Sequence, residues 1–345
     1  MRLQYAFGIQ NSFTSTDAAC ADQFAKQATQ LLNLDDSSWR SLGTYAVDTL
    51  RSVYQHRDIG SLLDEVPLAN IVQTLSLKIA FQVFFGVVVQ DRDKGHLSDL
   101  AEEINRIWVA SKHGRNCPQY SYEAKLRNAL SSIFPDQDIN SPAINPLNFI
   151  LPAYETLWRI VLRVFLDVMF AAKDRCPQWQ ELMVAFLKCP TKKQFSEQLS
   201  TLPGPVSAEF LVLEGLRLYP PTRRIRRAFR FSANKEIEIH EADIEKCHID
   251  PSTWGSDAAR FQPHRWAHTT RDQKNSFMPF GSAPYVCPAK SVFGPRMIAL
   301  ILGALIDTIG DGWSVSLDGQ RLWDALEGAY LNRDDCQNVR LVKRA

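Results

Sequence analysis

Phe280-Gly281-Ser282-Ala283-Pro284-Tyr285-Val286-Cys287-Pro288-Ala289 sets a cysteine at the end of a turn-rich loop. An apolar stretch with helical spacing, Ser291–Ile309, follows at once, and Gly310 and Gly312 mark its stop. The placement predicts an activated sulfur. The first N–H groups of a helix lack internal partners and carry partial positive charge, and both favour a thiolate, the metal-ligating form of cysteine. Taken alone, Cys287 also reads as a free cysteine packed in a core.

Upstream, Glu214-Gly215-Leu216-Arg217 puts a carboxylate and a guanidinium three positions apart, on one face of a predicted helix Val206–Leu218. An isolated pair of this kind reads as a solvated surface contact of little energetic weight. Between the two sites lie Phe261-Gln262-Pro263-His264-Arg265-Trp266 and, before it, Asp250-Pro251-Ser252-Thr253-Trp254-Gly255. Pro220–Pro221 ends the helix, and Arg223, Arg224, Arg226, Arg227 and Arg230 follow. Arginine suits bidentate carboxylate recognition, although most of such a cluster is ordinarily a solvated face.

Further back, Asn145–Ala172 keeps helical spacing for about twice the usual helix length, and within it stands Pro152-Ala153-Tyr154-Glu155-Thr156-Leu157. Pro152 frees a backbone carbonyl and bends the axis. Helical spacing recurs in Asp17–Asn33, Ser38–His56, Leu68–Gly86, Gly95–Lys112, Tyr122–Phe134, Trp179–Lys188 and Lys193–Leu199. Strand patterns are fewer: Arg223–Ser232, Glu236–His240, Trp313–Leu317 and Val339–Val342. With no repeat and no linker, the expectation is one mainly α domain with a small β portion over residues 1–345.

Composition narrows the function classes. Among the 345 residues 45% are hydrophobic and 22% charged, and the formal net charge is +1, so no global field recruits nucleic acid or anionic membrane. The seven cysteines include no CxxC pair, which fits reduced thiols on the cytosolic side of a membrane and excludes zinc-ribbon spacing. MRLQYAFGIQNSFTSTD lacks a basic patch followed by an apolar run, so no signal peptide or anchor is expected there. The most apolar long stretch, Phe149 to Phe170, is interrupted by Glu155, Arg159, Arg163 and Asp167 and reads as a helix inside a protein.

In this order, and near the carboxyl end, Glu214–Arg217, FQPHRW and FGSAPYVC resemble the signature set of the cytochromes P450. The resemblance implies the cytochrome P450 fold, a helical bundle around heme b, with specific motifs over residues 152–289 and N-terminal elements missing. It implies that Cys287 is the axial thiolate of the heme iron and that Phe280 contacts the cofactor. Glu214, Arg217 and Arg265 would form a buried network behind the heme, and Glu155 and Thr156 the acid–alcohol pair that handles protons beside bound O2. Arg224 and Arg226 would bind heme propionates. Where the family carries glycine, a basic residue and glycine, this chain has Ala283, Tyr285 and Ala289.

The activity so implied is a monooxygenase that inserts one oxygen atom from O2 into a lipophilic small molecule, with electrons from an NADPH-dependent flavoprotein reductase. ILPAYETLWR and LYPPTRR resemble fungal P450s of secondary metabolism, which implies a terpenoid or polyketide-like substrate. Lys290 and Arg296 are candidates for the reductase-docking face, and a monomer is expected. The resemblance implies that full-length relatives are anchored in the endoplasmic reticulum membrane, whereas no anchor is expected in the first residues of this chain. An inactive heme-binding or scaffold remnant is the alternative, motivated by the short beginning and by Tyr285. A thiol hydrolase using Cys287 lacks a histidine in suitable context.

Overall fold

The computed structural model describes residues 2–12, 14–15, 17–56, 65–89, 93–112, 117–171, 176–201, 204–229, 236–282, 286–291, 293–317, 320–321, 331 and 333–344. Among them the helices are α1 (Arg2–Phe7), α2 (Ala18–Leu32), α3 (Asp36–His56), α4 (Leu68–Phe85), α5 (Lys94–Ala110), α6 (Ala124–Ile133) and α7 (Leu147–Leu166). Then come α8 (Gln178–Lys188), α9 (Lys192–Ser196), α10 (Ala208–Leu218), α11 (Ile244–His248), α12 (Pro251–Trp254), α13 (Arg271–Ser276), α14 (Phe293–Ile309) and α15 (Arg333–Asn338). The strands are β1 (Glu65–Pro67), β2 (Arg224–Phe229), β3 (Glu238–Asp243), β4 (Trp313–Leu317), β5 (Gln320–Arg321) and β6 (Val339–Lys343). The mainly α expectation holds, and the long helices lie within a few residues of their predicted bounds. The helical pattern of Asn145–Ala172 resolves into α7 and a π-helical turn, Asp167–Ala171.

The chain forms two compact units, residues 1–35 with 70–158, and residues 36–69 with 159–345. In the first, an aromatic stack runs from Phe24 to Phe149 at 4.9 Å between ring centroids and on to Phe84 at 5.4 Å. Asn145 caps the start of α7 by accepting from the Leu147 amide at 2.9 Å, while its Nδ2 donates to the carbonyls of Gly8 and Ile139. The carbonyl of Asn148, four residues before Pro152, has no helical N–H to accept from. It takes a hydrogen bond from Asn11 Nδ2 at 3.2 Å, and Asn148 Oδ1 in turn accepts from the Gln10 amide at 2.9 Å. The carbonyl that the proline frees is therefore satisfied by a segment distant in sequence.

The second unit is built on α14, whose apolar residues are buried almost throughout, among α3, α8 and α10. Close approach to α8 requires Gly303, since a Cβ there would lie 2.5 Å from the Met183 carbonyl oxygen and 2.9 Å from Leu187 Cβ. The four-stranded sheet has the order β1-β6-β4-β5, all antiparallel, with Leu341 opposite Val66 on one side and Val315 on the other. β2 and β3 form a separate hairpin that pairs Arg224 with Asp243 and Arg226 with Glu241.

Two expectations are corrected here. The last long helix begins at Phe293 rather than at Ser291 itself, because a turn at residues 288–291 intervenes, closed by the Lys290 amide on the Cys287 carbonyl at 3.1 Å. Arg296 is 5% exposed, with its guanidinium carbon 4.3 Å from the centre of the Trp39 ring and an Nη2 donor on the Pro190 carbonyl. Packing against an aromatic face buries that charge, so Arg296 belongs to no docking face. Among the described residues one helix, α4, is long and apolar enough to cross a membrane, and 67% of its window is buried within the fold.

Candidate functional site

Helix α10 is capped by Ser207, whose hydroxyl accepts from the Phe210 amide at 3.1 Å, and it stops before the double proline. This frame fixes Glu214 and Arg217, each fully buried. Arg217 meets the carboxylate in two parallel bonds, Nε to Oε2 at 2.9 Å and Nη2 to Oε1 at 2.7 Å. Its other N–H groups go to backbone carbonyls: Nη1 to His248 at 2.7 Å and Ala258 at 2.6 Å, Nη2 to Arg260 at 3.2 Å. All five guanidinium donors are thereby engaged. The surface reading of the pair fails for this chain, because the fold removes both groups from water and satisfies them internally.

Glu214 accepts three further bonds. They come from Arg265 Nε at 3.0 Å, the Gln262 amide at 2.9 Å and Trp266 Nε1 at 3.0 Å. Arg265 continues to the carbonyls of Trp254 at 3.1 Å and Asp257 at 3.2 Å, and its Nη2 also meets the Asp257 carboxylate at 3.2 Å. Two cations are thus balanced by two carboxylates, only one of them fully buried, which limits the desolvation cost of the cluster. The segment around FQPHRW supplies every added donor, so the sequence proximity of these motifs becomes a single network.

Rings extend the network toward the cysteine loop. Trp254 and Trp266 lie 5.7 Å apart, Trp266 and Phe277 4.7 Å, and Phe277 and His248 5.5 Å. In that loop the Cys287 amide donates to the Phe280 carbonyl at 2.9 Å. The Phe280 ring closes over Gly294 at the start of α14, where an added Cβ would lie 2.9 Å from it. Cys287 itself is half-buried. Burial pushes its thiol above the usual cysteine range, and a backbone hydrogen bond from Ala289 pulls it only partly back. The expectation that a helix terminus activates the sulfur is therefore corrected, since α14 begins several residues later and burial is the stronger effect. A cation in contact with the sulfur would reverse the balance, because a coordinating thiol is deprotonated outright.

Arg224 and Arg226 stand exposed on β2, held across the hairpin. Arg224 Nε lies 3.4 Å from Asp243 Oδ2, and Arg226 Nε meets Glu241 Oε2. Ala283 and Tyr285 lie outside the described residues. Glu155 and Thr156 sit in the part of α7 that belongs to the first unit. Glu155 is buried, and the half-buried Thr156 donates its hydroxyl proton to the Pro152 carbonyl at 2.8 Å. Sequence reasoning missed His248, Gln262 and Trp266 as members of the site. A histidine without a catalytic partner gives no signal, whereas Trp266, directly after Arg265, is legible once Arg265 is known to turn inward.

No family model matches the chain. A putative cytochrome P450, CYP13A1 of Caenorhabditis elegans, is 34% identical over 111 residues, 29% of this chain and 21% of that protein. Cytochrome P450 71A20 of Arabidopsis thaliana is 26% identical over 296 residues, which cover 77% of this chain and 53% of the plant protein. The chain thus spans about a fifth of the nematode relative and about half of the plant one in these matches. Among solved structures, CYP175A1 from Thermus thermophilus superposes on all of this chain and 82% of its own, with a TM-score of 0.61 and 14% identity. A second P450 of that organism gives 0.60, also over the whole chain. The fold is that of the cytochromes P450, relatives and neighbours both support that family, and together they imply heme as the cofactor. The donor set fits such a group. Among the described residues no cluster of three His, Cys, Asp or Glu side chains could hold a bare metal ion, whereas the half-buried Cys287 carries a single free sulfur, a donor that suits a macrocycle bringing its own nitrogens.

Proposed function

We propose that this chain, which has the cytochrome P450 fold, is a heme-thiolate monooxygenase that inserts one oxygen atom from O2 into a lipophilic small molecule. The supporting observation is the fully satisfied Glu214–Arg217–Arg265 network, joined by edge-on and tilted ring contacts to the loop that presents Cys287. When bound, heme with an axial thiolate supplies electron density for cleavage of the O–O bond.

Cys287 would be the axial ligand, its backbone N–H fixed on Phe280, whose ring would line the same cofactor. Thr156 holds its proton on the Pro152 carbonyl, and the buried Glu155 is the adjacent acid. Together they would hold and pass protons, with Glu155 shielded from water by its burial. Arg224 and Arg226 would serve heme propionates in competition with Asp243 and Glu241, the carboxylates they now meet. Lys290, exposed beside the cysteine turn, would contribute to docking of an NADPH-dependent flavoprotein reductase. The likeness of ILPAYETLWR and LYPPTRR to fungal secondary-metabolism P450s favours a terpenoid or polyketide-like substrate, and we assign a monomer working on the cytosolic side.

Reduction under carbon monoxide tests the reading. The protein reconstituted with heme should give the red-shifted Soret band of thiolate ligation, and Cys287→Ser should abolish it. The same band in the serine variant, or none in the parent, overturns the assignment. Hydroxylation of lipophilic compounds with reductase and NADPH separates an active enzyme from a heme-holding remnant.

A further inference from the structure

The cysteine loop meets the start of α14 where the Phe280 ring closes over Gly294, and a further contact holds its first residues. His248 supplies it. Fully buried at the end of α11, it contributes its Nε2 to the Met278 amide at 2.9 Å and its Nδ1 to the Arg217 carbonyl at 3.0 Å. Arg217 returns a bond from Nη1 to the His248 carbonyl at 2.7 Å.

The tautomer follows from the partners. A backbone amide can only donate, so Nε2 accepts from Met278, and the single ring proton sits on Nδ1 and points at the Arg217 carbonyl. Burial and the neighbouring Arg217 cation both push the imidazole down, to about 4, which keeps it neutral. From Met278 the chain of bonds continues: the Gly281 amide donates to the Met278 carbonyl at 3.1 Å, and the Cys287 amide to the Phe280 carbonyl at 2.9 Å.

We infer that His248 is a positioning residue for Cys287, its Nδ1–H tautomer bridging the last turn of α10 and the amide of Met278, and so fixing the loop from which the sulfur is presented. Its bearing on catalysis rests on the reading of Cys287 as an axial ligand, whereas its bearing on the loop does not.

Two substitutions divide the ring's functions. The amide group of glutamine reaches the place of Nε2 and can accept from Met278, whereas that of asparagine reaches only the place of Nδ1 and can donate only to Arg217. In heme-free protein, amide hydrogen exchange at Met278 and alkylation of Cys287, resolved by peptide mass spectrometry, should be close to the parent in His248→Gln. Both should rise by about ten-fold in His248→Asn, the effect of one lost buried hydrogen bond. In heme-loaded protein the share of the thiolate band under carbon monoxide should fall in the asparagine variant and be retained in the glutamine one. Equal behaviour of the two variants overturns the inference. So does rapid exchange at Met278 in the parent, a measurement that needs no variant to fold. A parent that shows the heme-free pattern but no thiolate band overturns the monooxygenase reading alone and leaves the positioning role standing.

Discussion

Arg217 and Arg226 carry the same side chain and have opposite value to the protein. Arg217 is fully buried and spends every N–H on a partner, so its replacement leaves Glu214 charged, desolvated and short of donors. Lysine cannot substitute, because three donors on a point charge cannot reach two carboxylate oxygens and three carbonyls at once. Arg217→Lys should therefore lower stability to urea by about 3–5 kcal/mol, the cost of breaking a buried pair. Arg226→Ala, at a side chain 69% exposed, should cost under about 1 kcal/mol. Comparable losses for the two would show that the Glu214 network is not holding its unit together. Sequence spacing identified the two residues of the buried pair, whereas their burial was expected only from the resemblance to the cytochromes P450. Charge alone marks a residue as solvent-facing, and only the surrounding Trp254, Gln262 and Trp266 reverse that expectation. The same bias assigned Arg296 to a surface, although Trp39 covers it.

At the scale of the helix, α7 shows how a proline is accommodated in its interior. The Asn148 carbonyl loses its N–H to Pro152 and gains Asn11 Nδ2 instead. Asn11→Ala should then destabilise the first unit by about 1–3 kcal/mol, since a buried acceptor is left unpaired. In a Pro152→Ala background the same change should cost less, because residue 152 again offers an amide. Equal costs in the two backgrounds would separate Asn11 from the proline. The helix was legible from its period and the proline from its position, but the compensating asparagine, more than a hundred residues earlier in the chain, was not. Local pattern likewise found α14 and set its start only slightly early, where a short turn after Pro288 competes with helix. Three-residue β1 has too few positions for alternation to register, and it exists because β6 offers it an edge.

For the whole molecule, the neutral state of His248 links stability to pH. Its folded value near 4 lies below the ordinary histidine value of 6.5, so the unfolded chain binds a proton that the native one refuses. Stability is unaffected above pH 6.5, falls as pH drops from 6.5 toward 4, and levels below that. The slope in that window is about 1.4 kcal/mol per pH unit at most. Urea midpoints of the parent should fall more steeply between pH 7 and 5 than those of His248→Asn, and parallel curves would exclude the histidine as the source. The cytochrome P450 architecture was readable from three short motifs in order. The partition into two units was not, because neither unit is continuous in sequence.

That discontinuity governs how the chain reaches its native state. β1 lies in the first fifth of the sequence and pairs with β6 near its last residues, and the whole of residues 70–158 between them belongs to the other unit. A pairing of such high contact order must close a very long loop before it yields any stabilising contact, so it belongs among the late and slow events of folding. Helices α3, α8 and α14 can collapse together well before β1 and β6 meet. Until they do, β6 keeps one edge bare, and the nascent protein is at its most aggregation-prone.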